Sequence, residues 1–212
     1  MATLVTTPLA ERLVILPSVS WETYERLLAE HNPGRGIRFT YDRGVLQIMT
    51  LSTKHDKPNR ILASLAETVA AETLGDVLSL GSVTIKREDL LRGFEPDSCF
   101  YFRNLDRVKD LEELDFTVDP PPDLVIEVDI TTNSMNKFPV FAAVGIVEVW
   151  RFDGEAIRIH RLEGKEYQEV QASVALPPLT ASKITEFLES RKSVNLRDWV
   201  RSIQRWLRQS GY

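Results

Sequence analysis

The segment Pro120-Pro121-Pro122-Asp123-Leu124-Val125-Ile126-Glu127-Val128-Asp129-Ile130-Thr131 limits what this chain can fold into more than any other stretch. Three prolines restrict the backbone and remove donors, so they mark the approach to a strand and not its middle. Period-two alternation follows. Leu124, Ile126, Val128 and Ile130 fall on one face, and Asp123, Val125, Glu127 and Asp129 on the other. Three carboxylates on one face of an otherwise apolar strand leave two choices. Either that face is the solvated outside of an edge strand, or the charges are buried and must be paired, protonated or bound to a cation. Oxygen ligands of this kind suit a hard divalent ion.

The remaining elements are read from spacing. Leu13 to Leu16 is expected to pair as an edge strand. Ser20 caps a helix whose apolar stripe is Trp21, Tyr24, Leu27, Leu28 and His31, ended by Asn32-Pro33-Gly34. Ile37–Tyr41 and Val45–Met49 form a hairpin around Asp42-Arg43-Gly44. A long helix runs from His55 to Gly75. Val77–Leu80 and Val83–Ile85 read as short strands, and Glu95-Pro96-Asp97 opens another. Residues 104–119 form an acidic, irregular connection. Asn133 or Ser134 caps a short helix that contains Lys137 and stops at Gly145. A meander of Val147–Phe152, Ile157–Leu162 and Tyr167–Val170 follows, then helices from about Ser182 to Ser190 and Leu196 to Gln209. On the last helix Arg197, Arg201, Arg205 and Arg208 share a face that is either solvated or able to hold phosphates. The order predicts an α/β chain, more fully an α+β protein on one mixed sheet.

Composition removes several classes. A net charge of −5 on 212 residues means that any nucleic-acid contact must come from a local patch. The single cysteine, Cys99, excludes an internal disulfide and a cysteine zinc cluster. No apolar run approaches the roughly 20 residues of a membrane span. Met1 to Leu9 lacks a basic start followed by an apolar core, so no secretory signal is expected and a reducing cytoplasm fits.

Asp97 stands near the start of one strand and Glu127 within another. If those strands are neighbours, both carboxylates can ligate one Mg²⁺, with Mn²⁺ as a substitute, and Asp129 points the same way. Lys137, near the start of the next helix, could orient a water or offset charge on a phosphoryl transition state. Each has a structural alternative. Asp97 can cap a turn, and Lys137 can be a solvated lysine. Glu127 is the hardest to dismiss, because Glu is depleted from strand interiors.

Pro96-Asp97 followed by Glu127-Val128-Asp129 resembles the paired motif of the PD-(D/E)xK nuclease superfamily. More closely, the chain resembles the Uma-two family of restriction-endonuclease-like proteins. The resemblance is carried by Ser20 to Tyr24, Tyr41 to Leu46, Ser52 to His55, Glu95 to Tyr101, Pro120 to Thr132, Ser134 to Lys137 and Gly145 to Trp150, and it spans about residues 15 to 190. It implies a restriction-endonuclease-like core with flanking helices over residues 1–190, leaving 191–212 as a C-terminal amphipathic helix packed on that core or on a partner subunit. It also implies Mg²⁺-dependent hydrolysis of DNA, a homodimer, and metal-binding roles for Asp97 and Glu127. The superfamily's usual lysine place holds Asp129, and Lys137 takes the lysine role from the following helix. His55 matches a histidine at the start of the long helix and joins the candidate catalytic residues.

Two rival readings stand beside this one. A non-enzymatic dimeric module that keeps the fold would fit the Asp at the lysine place and the net charge of −5. A carboxylate-pair glycoside hydrolase would need aromatics around the acids to stack a sugar, and the sequence places none there.

Overall fold

A computed structural model describes residues 12–30, 36–50, 53–130 and 135–212. The expectations placed on His31, Asn32-Pro33-Gly34, Ser52, Asn133 and Ser134 lie outside these residues.

In chain order the strands are β1 (Leu13–Leu16), β2 (Ile37–Asp42), β3 (Val45–Thr50), β4 (Leu78–Ser79), β5 (Ile85–Arg87), β6 (Arg92–Phe94), β7 (Ser98–Tyr101), β8 (Leu124–Val128), β9 (Glu148–Phe152), β10 (Ile157–Glu163) and β11 (Glu166–Val170). The helices are α1 (Trp21–Glu30), α2 (Thr53–Thr73), α3 (Leu105–Val108), α4 (Phe138–Val144), α5 (Ala181–Ser190) and α6 (Leu196–Gln209). The α/β class is as read from the sequence, but the strands divide into two sheets instead of one. A five-stranded sheet has the order β1-β3-β2-β6-β5, and a six-stranded sheet the order β11-β10-β9-β8-β7-β4. The two short strands after α2 therefore part company, β4 joining the large sheet and β5 the small one.

Turn chemistry sets the local connections. Arg43 (φ 46°) and Gly44 (φ 95°) both take positive φ, the two-residue hairpin turn that matches strand twist. Ser20 Oγ accepts the Thr23 N–H at 3.2 Å and so caps α1. Gly145 (φ 90°) closes α4.

Strand β8 is interior, not an edge. It pairs antiparallel with β7 and parallel with β9, and all five of its residues are buried. Leu124, Ile126 and Val128 meet α2, α5 and α6 in the main core, while Val125 joins Cys99, Val149 and the α4 residues Val140 and Phe141 on the other face. At about 25 cal/mol per Å² of apolar surface, these two buried faces are what fix the strand's register. The C-terminal helix α6 lies on α2, with Trp199 only 1% exposed and its Nε1–H donating to the Phe187 carbonyl at 2.8 Å. Among the described residues, no helix is long and apolar enough to cross a membrane.

The sequence reading missed β6. Its Gly93 lies so close to Tyr24 that a Cβ would sit 2.3 Å from the phenol oxygen and 2.9 Å from two ring carbons. Gly93→Ala is therefore expected to cost about 1–3 kcal/mol through overpacking, visible as a lower urea midpoint. Adding Tyr24→Phe should recover only part of that loss, because the ring carbons stay in place.

Candidate active site

The site forms where β7, β8, α2 and the start of α4 converge. Ser98 pairs with Ile126 across the β7–β8 ladder, so the residues one step beyond, Asp97 and Glu127, face each other. Directly opposed antiparallel residues have Cβ atoms about 4.5–5.5 Å apart. Both acids are 4% exposed. Asp97 Oδ2 accepts the Val128 N–H at 2.8 Å and lies 3.3 Å from His55 Nε2. Glu127 Oε2 accepts from Lys137 Nζ at 2.5 Å. Its other oxygen, Oε1, is buried with no hydrogen-bond partner among the described residues.

All four candidate catalytic residues, Asp97, Glu127, Lys137 and His55, thus come together. His55 is fully buried in the first turn of α2. Lys137 is the residue immediately before α4. Asp129 lines the same ≈ 300 Å³ cavity as Glu127 and Lys137, and its Oδ2 pairs with Arg151 Nη2 at 2.6 Å. Arg151 in turn stands opposite Glu127 in the parallel β8–β9 register. Asp123, the third acid of the alternating face, is not at the site. Its oxygens accept the N–H groups of Phe102, Arg103 and Asn104 and the Asn104 side-chain amide, at 2.8–3.2 Å, and so fix the turn after β7. Among the described residues, no group of three or more His, Cys, Asp or Glu side chains is gathered to hold a metal ion.

Three supporting residues escaped the sequence reading. Asn59 Nδ2 donates to the Asp97 carbonyl at 3.1 Å, and its Oδ1 accepts from Ser98 Oγ at 2.9 Å. A signal existed, since His55 and Asn59 form a polar i, i+4 pair at the head of the apolar stripe of α2. Gln47, 1% exposed on β3, accepts the Met135 N–H through Oε1 at 2.6 Å and so ties down the segment that leads to Lys137. One glutamine in an alternating strand gives no such signal. Arg151 was hidden in the same way.

Burial dominates the electrostatics. It raises the Asp97 carboxyl to about 6, against the pull of Lys137 and the Val128 N–H. It raises Glu127 to about 7, with Lys137 opposing and the Asp97 charge adding to the rise. Burial alone would lower the Lys137 ammonium, but Glu127 and Asp97 outweigh it and the net direction is upward. Carboxyls raised in the fold contribute stability that is full below their unfolded values, 3.8 and 4.5, and that is lost as pH rises through about 6 and 7. Asp97→Asn keeps an acceptor for Val128 and removes that loss. In chelator it is expected to be more stable than the wild type above pH ~7, by about 1–2 kcal/mol, with the gap closing toward pH ~4. Urea melts at the two pH values measure this, and a variant less stable than the wild type above neutrality would refute the burial argument.

The chain matches the family model Uma2, described as "Putative restriction endonuclease", over residues 21–193. No curated protein matches it. Among solved structures it is similar to a protein from Anabaena variabilis ATCC 29413 described as "a putative nuclease belonging to DUF820", with 16% sequence identity and a TM-score of 0.54, covering 77% of this chain and 97% of that one. At that identity the likeness is one of fold.

Proposed function

The chain belongs to the Uma2 family, and on that premise we propose that it is a Mg²⁺-dependent endonuclease that hydrolyses phosphodiester bonds of DNA. One observation carries the reading: Asp97, just ahead of β7, and Glu127, within β8, face each other in a buried site, and Glu127 Oε1 there has no partner among the described residues. An orphaned buried carboxylate oxygen costs free energy unless something completes it. Two hard oxygen donors with elevated pKa values fit a hard divalent cation, whose binding requires their deprotonation.

Asp97 and Glu127 would hold the ion. Asp129 is the candidate third acid, though its Oδ2 is engaged by Arg151. When bound, such an ion lowers the pKa of a water and neutralises charge on a phosphoryl oxygen. The chain's own residues do the rest. The Val128 N–H and His55 orient Asp97. Lys137, held beside Glu127, keeps a positive charge in the lining of the cavity and can stabilise developing negative charge on a non-bridging oxygen. Its position just before α4 puts a lysine ten residues beyond Glu127 in reach of that carboxylate, in the role of the lysine whose usual place Asp129 fills just past β8. A homodimer with one site for each DNA strand, in the cytoplasm, belongs to the same reading.

The Lys137–Glu127 ion pair also favours a second reading, in which the internal cation replaces the metal and the chain is an inactive binding module. The experiment that separates the two is DNA cleavage with Mg²⁺ or Mn²⁺ by the wild type and by variants neutralised at Asp97 or Glu127, alongside calorimetric titration of Mn²⁺. The second reading expects neither cleavage nor metal binding.

A further inference from the structure

A second, larger concavity of ≈ 750 Å³ opens on the opposite face of the large sheet, at the carboxyl end of β8. Its walls include Ile130, Phe152 and Leu188, and its rim carries Lys54, Lys57, Arg60, Arg191 and Lys192 with one acid, Asp56. Two adjacent residues just past β8 line the two cavities. Asp129 lines the catalytic cavity and Ile130, the next residue, lines the groove. His55, in contact with Asp97, sits between Lys54 and Asp56 on α2.

The charge on this rim is only partly neutralised. Among the described residues Lys54, Lys57 and Arg60 form no ion pair, and only Lys192 has a carboxylate partner, Glu189 at 2.6 Å. Three cations at i, i+3 and i+6 repel one another along a helix, and the rim's one acid, Asp56, four residues before Arg60, offsets only part of that repulsion. They span about 9 Å of α2, given its rise of about 1.5 Å per residue, which matches two to three phosphates of one strand at about 3.4 Å of axial rise each. In a chain of net charge −5, a concave patch with four cations that have no carboxylate partner among the described residues, beside the proposed catalytic site, is a local exception to the overall field.

We propose that this groove holds the sugar–phosphate backbone of a nucleic-acid strand that runs over the carboxyl edge of β8 to the acid pair. The inference rests on the nuclease reading for its choice of ligand, but its test does not depend on cleavage. The exposed arginine face of α6, with Arg201 and Arg205, is the competing patch and lies on a different surface.

Binding of fluorescently labelled single-stranded and duplex oligonucleotides is measured in chelator over a salt series. The variants are Lys54→Ala/Lys57→Ala/Arg60→Ala and, as the control, Arg201→Ala/Arg205→Ala. The first is expected to weaken binding about 30-fold or more near 50 mM salt and to reduce the slope of log K against log salt by about 2–3, while the control leaves both unchanged. Relative affinity for the two oligonucleotides identifies the strand form. Circular dichroism confirms that the variants are folded, and single Lys54→Ala and Arg60→Ala changes substitute if the triple variant is not. The proposal is overturned if the groove variants bind within about twofold of the wild type with an unchanged slope, if the α6 variant carries the loss instead, or if the groove takes a polyglutamate peptide and no oligonucleotide. Loss of binding in the groove variants without cleavage by the wild type leaves the groove standing and removes the catalytic reading. Cleavage by the wild type with no change in binding does the reverse.

Discussion

Neutralising either acid, as Asp97→Asn or Glu127→Gln, is expected to lower Mg²⁺-supported DNA cleavage by about a thousandfold or more. Each replacement is nearly isosteric, so the packing of β7 against β8 is preserved. What disappears is a negative charge that water and neutral amides cannot supply to a dication. The two variants should differ in their side effects. Asp97→Asn retains the acceptor for the Val128 N–H and is expected to be the more stable protein in chelator at neutral pH. Its inactivity could not then be ascribed to unfolding. Glu127→Gln strips Lys137 of its partner and should show a smaller gain in stability or a loss. The measurement is supercoiled-plasmid nicking with Mg²⁺ and with Mn²⁺, paired with Mn²⁺ calorimetry. Cleavage by both variants at rates near the wild type would remove these residues from the chemistry.

The second large effect concerns stability alone. Glu148→Ala is expected to destabilise the fold by about 4 kcal/mol or more, judged from the cost of orphaned buried donors. Glu148 is fully buried, and it accepts from Trp150 Nε1 and Ser173 Oγ at 2.6 Å, from the Val174 N–H at 2.6 Å and from the Ala175 N–H at 3.2 Å. The carboxylate thus ties the start of β9 to the loop that leads toward α5. Alanine would leave four donors facing a cavity that a water could satisfy only in part. Glu148→Gln keeps one acceptor oxygen but turns an NH₂ group toward donors, so its loss should be smaller and still clear. In the parallel register Glu148 stands opposite Leu124, while Arg151 stands opposite Glu127. The anchor therefore lies at the far end of β8 from the acids, and folded Glu148→Gln should bind Mn²⁺ as the wild type does. Urea melts and calorimetry read the two effects separately.

What could be read from the chain, and what could not, follows the range of the interactions. Alternation in residues 124–130 reports a strand and which residues share each of its faces, because side-chain direction is a local property, but it leaves open whether the acidic face is solvated or buried. That β8 is interior depends on pairing with β7 and β9, which alternation does not encode. The same limit made one sheet of two. The hairpin 37–50 is equally apolar whichever sheet receives it, and β6 is hidden by a glycine whose purpose is to admit Tyr24. Asp123 reads like Glu127 and Asp129 from its parity, yet its carboxylate turns back to three backbone N–H groups. Asp97 and Glu127 were paired on the condition that their strands are neighbours, with the resemblance as support, and β7 and β8 are adjacent in the large sheet. The cationic groove was illegible in principle, since Lys54 to Arg60 and Arg191 to Lys192 stand some 130 residues apart in sequence.

The four side chains at the centre come from four separated stretches: position 55 on one helix, 97 ahead of one strand, 127 within the next, and 137 at the entry to another helix. The set spans residues 55 to 137, so no short fragment of the chain carries all four. On the nuclease reading, the capacity to cut therefore depends on long-range contacts, between β7 and β8, between His55 and Asp97, and between Glu127 and Lys137, and not on any one local segment.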